Sequence, residues 1–430
     1  MTTTGAPGLP HVVVINRWRE RYARYAEYLD HTTHHVSYVS TEVGLPSVPE
    51  EAGDLVVVER TDDLEAVRAA VRVLAVRHGR PERIVALKED DLLIAAALRE
   101  EWDCPGQRTG QLARFRDKYL MASAVADAGL ELPEFARATD EATVLAFADR
   151  YGWPVIVKPV MGSSSEGVAK LDGPEELASL RLGDGPMMVQ RFHPGLIYHV
   201  DGVFTGEEIR HLRASRYVNT CLGFRSGEFL GSVEEDDEAV NEAIREASAG
   251  YLRALSDEPL VFHLEVFVDR SSGAPRCSFL EVGARVGGAE IPFVWREVHG
   301  YDLMDAAFQL QMRRPIPEGE PGASGEVGGF LIVPAPEARP CRITEVTSMT
   351  GRVPGLYAEA LLEVGEVLPL ADAYYEHVGG RFRFRGAGSA EVEAAVVAAA
   401  SGFRVAGVPA DAPEEAAEES DALLTAVGGR

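Results

Sequence analysis

The sequence predicts a multidomain protein that combines α/β and α+β architecture. With 430 residues, the chain is longer than the roughly 100 to 200 residues of an average domain. Its first hundred residues alternate short apolar runs with amphipathic helical patterns, which is typical of a parallel sheet covered by helices. Residues 326–408 instead contain a series of short strand patterns, which indicates a smaller β-rich domain.

The first region, residues 1–112, is predicted to be an α/β domain. Its predicted strands are His11–Ile15, Val36–Ser40, Leu55–Val58 and Arg83–Leu87, and its predicted helices are Arg17–Leu29, Thr61–His78 and Glu89–Trp102. No glycine-rich dinucleotide fingerprint follows the first strand, so the region is interpreted as a scaffold.

Residues 113–313 form the second predicted domain, with a smaller lid subdomain at about 150–200. Asp117 is a suitable N-cap for a helix that ends near Ala128, and this helix opens the domain. A Pro-, Gly- and Glu-rich segment, Arg314–Gly325, then predicts a linker to the β-rich domain at 326–408. Residues 409–430 are predicted to be an acidic, poorly ordered tail.

The net charge and the length of the apolar runs argue against a nucleic-acid-binding protein and against a membrane-spanning protein. Lys and Arg number 42 against 68 Asp and Glu, so the formal net charge is −26. This charge argues against a nucleic-acid partner, whose phosphates the protein would repel. No apolar run is long enough to span a membrane, and the N-terminus does not resemble a signal peptide. We therefore expect a cytoplasmic protein with small-molecule partners, and a homodimer is the default expectation for its assembly.

Two neighbouring segments, Leu260–Asp269 and Cys277–Arg285, predict an antiparallel hairpin. If the residue numbers of each pair sum to 546, Glu265 lies opposite Glu281. Two opposed carboxylates repel each other unless a cation lies between them, so the pair indicates a divalent metal site of hard oxygen ligands. The alternative is that one glutamate faces solvent and pairs with Arg285.

The same register assigns the other face of the hairpin to the core. Its predicted apolar residues are Phe262, Leu264, Val266, Val268, Leu280 and Val282.

A second motif is a strand that ends at Lys158 and is followed by Met161–Val168, a serine-rich turn with a glycine near each end. Such a turn can direct several backbone N–H groups at an anion. The lysine precedes the glycines, so the motif is not a P-loop. The alternative is a plain flexible hairpin. A third segment, Met187–His193, contains Gln190 within an apolar run; it either binds an adenine edge or belongs to the core.

In their order and spacing these motifs resemble the ATP-grasp superfamily, in its biotin carboxylase-like branch of carboxylate–amine ligases. The resemblance runs from about Arg83 to Met312 and implies an ATP-grasp fold with an N-terminal pre-ATP-grasp domain and a C-terminal β-rich domain. It implies ATP and Mg²⁺ as cofactors, with Mn²⁺ as a substitute. It assigns the metal to Glu265 and Glu281, and the γ-phosphate and acyl phosphate to Arg285. The remaining ATP contacts that it implies are Lys118, Lys158, Gly162, Ser163, Ser164, Ser165, Gly167, Gln190, Arg191, His193 and His199.

One position departs from the pattern of the superfamily. Glycine occupies position 283 in the run Glu281-Val-Gly-Ala-Arg285, where an asparagine metal ligand is usual. A water or a substrate atom is expected to replace it. With the following Val286–Pro292, this variant resembles the bacterial L-amino acid ligases that make dipeptides.

The resemblance implies an ATP-dependent ligase that forms an amide or dipeptide bond through an acyl phosphate and releases ADP and phosphate. His263 and Glu290 are candidates for the base that takes the amine proton, and residues 285–294 and 217–229 are candidates for substrate specificity. The alternatives are a biotin carboxylase-type enzyme, a purine-biosynthetic enzyme of the same superfamily, and a nucleotide-binding protein without catalysis.

Overall fold

The computed structural model describes residues 9–19, 21–162, 165–180, 185–271, 273–322, 325–336, 339–369 and 378–410. The chain divides into two compact units. The first comprises Met1–Ala214 and Asp237–Ser324, and the second comprises Ser215–Asp236 and Gly325–Arg430.

The strands carry labels in chain order. They are β1 (His11–Asn16), β2 (His35–Ser40), β3 (Asp54–Val57), β4 (Arg83–Ala86), β5 (Phe135–Ala138), β6 (Val155–Pro159), β7 (Ala169–Leu171), β8 (Met187–Arg191), β9 (Leu196–Phe204), β10 (Ile209–Tyr217), β11 (Leu230–Glu234), β12 (Leu260–Asp269), β13 (Arg276–Gly283), β14 (Val327–Pro334), β15 (Cys341–Val346), β16 (Leu356–Leu361), β17 (Val367–Leu368), β18 (Val378–Gly386) and β19 (Val405–Pro409).

The α-helices are labelled in the same way. They are α1 (Tyr25–Tyr28), α2 (Leu64–His78), α3 (Leu92–Trp102), α4 (Thr109–Arg116), α5 (Lys118–Asp127), α6 (Glu141–Tyr151), α7 (Pro174–Ser179), α8 (Cys221–Arg225), α9 (Glu238–Leu255), α10 (Ile291–Glu297), α11 (Leu303–Gln311) and α12 (Ser389–Gly402). Short 3₁₀ turns lie at Glu42–Ser47 and Glu89–Asp91.

The first unit begins with a parallel sheet in the order β3-β2-β1-β4. The apolar run of β1 is buried along its whole length, as expected for a parallel strand covered on both faces. The predicted helix Arg17–Leu29 is wrong, because α1 is the helical part of its described residues. The side chain of Asn16 accepts hydrogen bonds from the Trp18 N–H and the Tyr25 hydroxyl, which holds the chain in a turn instead.

A second sheet of the first unit has the order β5-β8-β6-β7 and is antiparallel. Its strand β6 carries Lys158, and β8, the neighbour of β6, carries Gln190. Val157 and Val189 of this sheet pack with α6 and α7, and Lys158 and Gln190, one residue further along their strands, lie on the opposite face of the sheet.

The predicted hairpin is formed by β12 and β13, and β9 pairs with the other edge of β12. Glu265 is paired with Glu281, as predicted. Beyond this pair the predicted register is wrong by one residue, because a β-bulge lies between Glu265 and Val266 and pairs Val266 with Phe279. Phe279 therefore takes the core position that was predicted for Leu280.

The second unit contains the strand order β11-β14-β18-β16 and a small sheet in the order β17-β15-β19. Helix α12 packs its apolar residues onto the larger sheet, with Val392, Val396 and Ala399 buried. Among the described residues of this unit, strand predominates over helix, in agreement with the predicted fold class.

The domain boundaries at 112, 313 and 326 stay predictions. Most of the predicted acidic tail lies outside the described residues. Within the described part of the chain, no helix combines the length and the apolarity needed to cross a membrane.

Candidate active site

A pocket of about 400 Å³, including the solvent at its mouth, lies in the first unit. Its lining is strongly polar: two glutamates, two arginines, a lysine and a histidine contribute to it. The lining residues are Glu89, Phe115, Arg116, Lys118, Met121, Gly162, His263, Glu281, Val282, Gly283 and Arg285. Five of the predicted site residues therefore meet in one pocket: Lys118, Gly162, His263, Glu281 and Arg285.

The two predicted metal ligands are adjacent in the sheet. Glu265 and Glu281 are cross-strand partners, and Nε2 of His263 lies 3.8 Å from Oε1 of Glu265. The Glu281 side chain is 35% exposed, so a cation that enters the pocket can reach its carboxylate. Two carboxylates on directly paired residues offer the hard oxygen donors that Mg²⁺ prefers. The donor set therefore fits the predicted metal.

Lys118 connects the glycine-rich turn to the acidic pair. It is the first residue of α5, where Asp117 caps the helix by accepting hydrogen bonds from the backbone N–H groups of Tyr119 and Leu120. Its Nζ donates a hydrogen bond of 2.7 Å to the carbonyl of Gly162 and lies 3.6 Å from Oε2 of Glu281. The ammonium group of Lys118 thus lies between the turn and the carboxylate of Glu281.

Lys158 is buried on β6, with 4% of its surface exposed. Burial lowers the pKa of its ammonium to about 8, although attraction from Glu281 and Glu265 works in the opposite direction. Burial also opposes ionisation of Glu281, but Lys118 and Lys158 outweigh it and lower the pKa of this carboxyl. The two lysines and the two glutamates are therefore one electrostatic unit.

The backbone of the serine-rich turn is shaped by left-handed residues. Gly162, Ser165 and Gly167 all have positive φ, at 136°, 57° and 67°. A Cβ on Gly167 would lie 2.8 Å from Cγ of Pro159, so both backbone and space require glycine there. The predicted contacts Ser163 and Ser164 lie outside the described residues.

The residues predicted to contact the nucleoside lie on β8, on β9 and in the segment that joins them, outside the lining of the pocket. Gln190 is buried, and its backbone pairs with Ile156. Arg191 is exposed and forms an ion pair with Glu134 at 3.4 Å.

His193 follows β8, and its ring stacks on Phe267 at a centroid distance of 4.5 Å. Its Nδ1 accepts a hydrogen bond from the Gly195 N–H. Burial lowers the pKa of this imidazole. These contacts place His193 next to β12, the strand of Glu265, without bringing it into the pocket.

A buried carboxylate joins two histidines beside the acidic pair. Asp201 lies 2.6 Å from Nδ1 of His199 and 2.8 Å from Nδ1 of His263, and Glu265 is the cross-strand partner of His199. Burial opposes ionisation of Asp201, but its two histidine partners hold its pKa well below the usual range. The three side chains also form a donor group of metal-ligating type. Their contact distances are those of hydrogen bonds, so each imidazole is oriented by the carboxylate.

Two residues that the sequence prediction missed, Glu89 and Arg116, complete the pocket. Glu89 accepts a hydrogen bond from Nη1 of Arg116 at 2.5 Å and another from Nε of Arg285. Burial opposes ionisation of Glu89, but Arg285 and Arg116 lower its pKa to about 2. The position of Arg116, two residues before Lys118, is a signal that could have drawn attention to it; Glu89 lies 196 residues from Arg285 and has no such signal.

Known proteins resemble this chain in both sequence and fold. No family model matches the chain. It is 21% identical over 330 residues to the L-arginine-specific L-amino acid ligase of Bacillus subtilis, which covers 74% of this chain and 76% of that protein. A shorter match, 37% identical over 120 residues, is to the formate-dependent phosphoribosylglycinamide formyltransferase of Parasynechococcus marenigrum; it covers 27% of this chain and 29% of the relative.

Solved structures match the chain along most of its length. The L-amino acid ligase of Bacillus licheniformis superposes with a TM-score of 0.73 at 18% identity, covering 94% of this chain and all of the other. The biotin carboxylase of Campylobacter jejuni superposes with a TM-score of 0.62 at 14% identity, covering 93% of each chain. Both are ATP-grasp structures. The chain therefore has the fold of these ATP-grasp structures.

Proposed function

We propose that this protein is an ATP-dependent carboxylate–amine ligase that forms an amide or dipeptide bond and releases ADP and phosphate. The observation that carries the proposal is the convergence of cations and paired carboxylates on one pocket. Lys118, Glu281 and Arg285 line it, and the buried Lys158 interacts electrostatically with Glu281 and Glu265. Such a set matches the needs of phosphoryl transfer, which are positioning and the neutralisation of charge.

The lysines and the glycine-rich turn supply the triphosphate site. Lys118 and Lys158 offer ammonium groups, and Gly162, Ser163, Ser164, Ser165 and Gly167 contribute N–H and hydroxyl donors. Burial disfavours the charged form of Lys158. An anionic partner such as a phosphate would therefore stabilise this ammonium. On the nucleoside side, we assign Gln190, Arg191 and His193 to the adenine region and His199 to the ribose region.

Glu265 and Glu281 would hold Mg²⁺, with Mn²⁺ as a substitute. When bound, the metal supplies positive charge to the β- and γ-phosphate oxygens. Lys118, 3.6 Å from Glu281, and Lys158 favour the ionised form of this carboxylate, which is the form that would bind the metal.

The reaction proceeds in two displacements. A carboxylate oxygen of the first substrate attacks the γ-phosphorus of ATP in line, the bond to the ADP oxygen breaks, and an acyl phosphate forms. The amine nitrogen of the second substrate then attacks the acyl carbon, phosphate leaves, and the amine proton passes to a base. Arg285 is the proposed catalytic residue, because its guanidinium borders the pocket where it can neutralise the charge of the transferred phosphoryl group.

The names of the relatives support amino acids, or derivatives of them, as both substrates. Two ligases of L-amino acids match the chain over 74% and 94% of its length. A cytoplasmic location and a homodimer remain our expectations.

The test is a matrix of amino acids, singly and in pairs, with Mg-ATP. We expect release of ADP and phosphate that depends on a pair, and mass spectrometry should detect a product equal to the sum of the pair less one water. Release of ADP without a product of new mass would contradict a dipeptide ligase. Absence of ADP release with every pair of amino acids would contradict it as well.

A second candidate is a purine-biosynthetic ligase, because the short match at 37% identity is to an enzyme named for formate and phosphoribosylglycinamide. Adding these two compounds with Mg-ATP tests it directly. Bicarbonate-dependent ATP hydrolysis that free biotin stimulates would instead favour the carboxylase alternative, and nucleotide binding without ADP release under any mixture would favour a protein without catalysis.

A further inference from the structure

The side chains around position 283 leave room for a glycine but not for a larger residue. A Cβ atom on Gly283 would lie 2.8 Å from Oε2 of Glu89 and 3.5 Å from Cγ of Arg285. The first distance is shorter than real Cβ contacts. Gly283 does not have the positive φ that favours glycine, so its backbone could carry a side chain. The restriction therefore comes from the carboxylate of Glu89.

The carboxylate of Glu89 is fixed at both of its oxygens. Oε1 accepts from Nη1 of Arg116 at 2.5 Å, and Oε2 accepts from Nε of Arg285. Glu89 is 9% exposed, so moving it would break two charge-assisted hydrogen bonds where water can replace them only in part. A methyl group at position 283 would consequently displace the Glu89 carboxylate, which its two arginine partners hold in place.

We infer that Glu89 is a positioning residue for Arg285, and that glycine at position 283 admits the Glu89 carboxylate. Arg285 is held on a second side by its own neighbour, since Nη1 donates to the carbonyl of Val286 at 2.9 Å. Two fixed hydrogen bonds define the plane of the guanidinium. In the proposed ligase this is pre-organisation: the charge of Arg285 is aimed before the substrate arrives.

The catalytic part of this inference rests on the proposed function, but the geometric part does not. The geometric part is tested by NMR of the arginine Nε–H groups in the protein without substrate. The signal of Arg285 is assigned by its absence in Arg285→Lys. We expect it to shift in Glu89→Asp, which draws the carboxylate back by one methylene, and also in Gly283→Ala. An Arg285 signal that is unchanged in Gly283→Ala would overturn the inference.

Two matched variants serve as controls. Glu101 also bridges two arginines, Arg68 and Arg72, each at 2.7 Å, but outside the pocket. Gly110 has no atom within 4 Å of an added Cβ. Glu101→Asp and Gly110→Ala should leave the Arg285 signal at its wild-type position.

The catalytic part is tested by kinetics with the substrates that the matrix identifies. Glu89→Asp and Gly283→Ala should each lower kcat by on the order of 10²-fold, with KM for ATP within about threefold of wild type. The double variant should lose no more than the worse single variant, because both changes displace the same carboxylate. Losses that multiply, or a wild-type kcat in Glu89→Asp, would overturn the positioning role. If no substrates are found, the proposed function fails, and the NMR result still decides whether Glu89 and Gly283 fix Arg285.

Discussion

Glu265 and Glu281 are direct cross-strand partners, and the β-bulge of the hairpin begins at the next residue, Val266. Their environments differ. Lys118 lies 3.6 Å from Glu281, and Lys118 and Lys158 together lower the pKa of its carboxyl. Nε2 of His263 lies 3.8 Å from Oε1 of Glu265, and Glu265 also attracts the ammonium of Lys158. Loss of the Glu281 charge should consequently destabilise the protein without metal more than loss of the Glu265 charge.

We predict that Glu265→Gln lowers the melting temperature in the absence of metal less than Glu281→Gln does, because Glu281 is the carboxylate that lies beside Lys118. Glu281→Gln should lower it more, because two lysines lose their counter-charge. Both variants should lose the stabilisation by Mg²⁺ and about 100-fold or more of the ligase turnover. Differential scanning fluorimetry with and without MgCl₂ measures the first two effects, and the exposed Glu242→Gln is the control. Mg²⁺ stabilisation that persists in both variants would refute the metal assignment.

We predict that nucleotide binding takes up a proton through Lys158. The pKa of its ammonium is about 8 before an anion is bound, and a phosphate partner should raise it. At pH 8 about half of the Lys158 side chains must therefore gain a proton on binding, and affinity should fall as the pH rises above 8. Calorimetry in two buffers of different ionisation enthalpy measures the uptake.

Lys158→Arg should abolish this proton uptake, because a guanidinium stays charged in this range. Lys170→Arg, at an exposed lysine paired with Asp172, should keep it. Equal uptake in wild type and Lys158→Arg would assign the proton to another group.

We predict that acid weakens the N-terminal sheet through a stack of imidazoles. The rings of His35 and His78 lie 3.9 Å apart, and His11 lies 5.4 Å from His35. Burial, reinforced by the neighbouring imidazoles, lowers the pKa of both His11 and His35. The folded state therefore favours their neutral forms. Their contribution to stability is complete above the unfolded pKa near 6.5 and is lost as the pH falls below it.

The charged groups beside the stack are Asp54, which accepts from His78 at 2.7 Å, and Arg77, which donates to Asp54. The hydrogen bond from His78 is the main reason that the pKa of Asp54 falls to about 2, so this carboxylate contributes stability above pH 3.8 and loses it between 3.8 and 2. Urea unfolding from pH 7.5 to 5.5 should show a declining midpoint in wild type. The decline should be smaller in His35→Gln and unchanged in His34→Gln, and equal slopes in all three would refute the prediction.

We predict that Asp201→Asn destabilises the protein by about 3 kcal/mol, because a buried carboxylate that accepts from two histidines loses its charge and one oxygen acceptor. Asp269→Asn, at the end of the same strand β12, should cost less than about 1 kcal/mol. Denaturant unfolding at pH 7.5 measures both. A cost for Asp201→Asn no larger than that of the control would show that the histidines do not depend on this carboxylate.

The hairpin shows what the sequence could and could not predict. Alternation of apolar and polar residues was enough to pair Glu265 with Glu281, since a carboxylate of β12 opposes one of β13. It could not locate the bulge, because Phe279 and Leu280 are both apolar and either can fill the core position. The space that the surrounding helices leave decides for Phe279, which packs against Tyr251 of α9.

Other errors came from side chains that compete with the pattern. The spacing of Trp18, Tyr22, Tyr25 and Tyr28 imitates a helix, but Asn16 takes hydrogen bonds from two residues of this segment and prevents it. Glu89 was missed because its role depends on Arg116 and Arg285, which are distant along the chain. Local sequence patterns predict local structure. They cannot predict an ion pair between residues that are distant along the chain and meet in the folded protein.

The β-bulge divides the hairpin into two segments whose lengths can evolve separately. One segment carries Glu281 and leads to Arg285, and the other carries Phe279 and leads to the turn. A residue gained or lost on the turn side can be absorbed at Leu280 without rotating Glu281 away from Glu265. Among diverging relatives, single-residue gaps should collect near Leu280, and the four-residue step from Glu281 to Arg285 should keep its length.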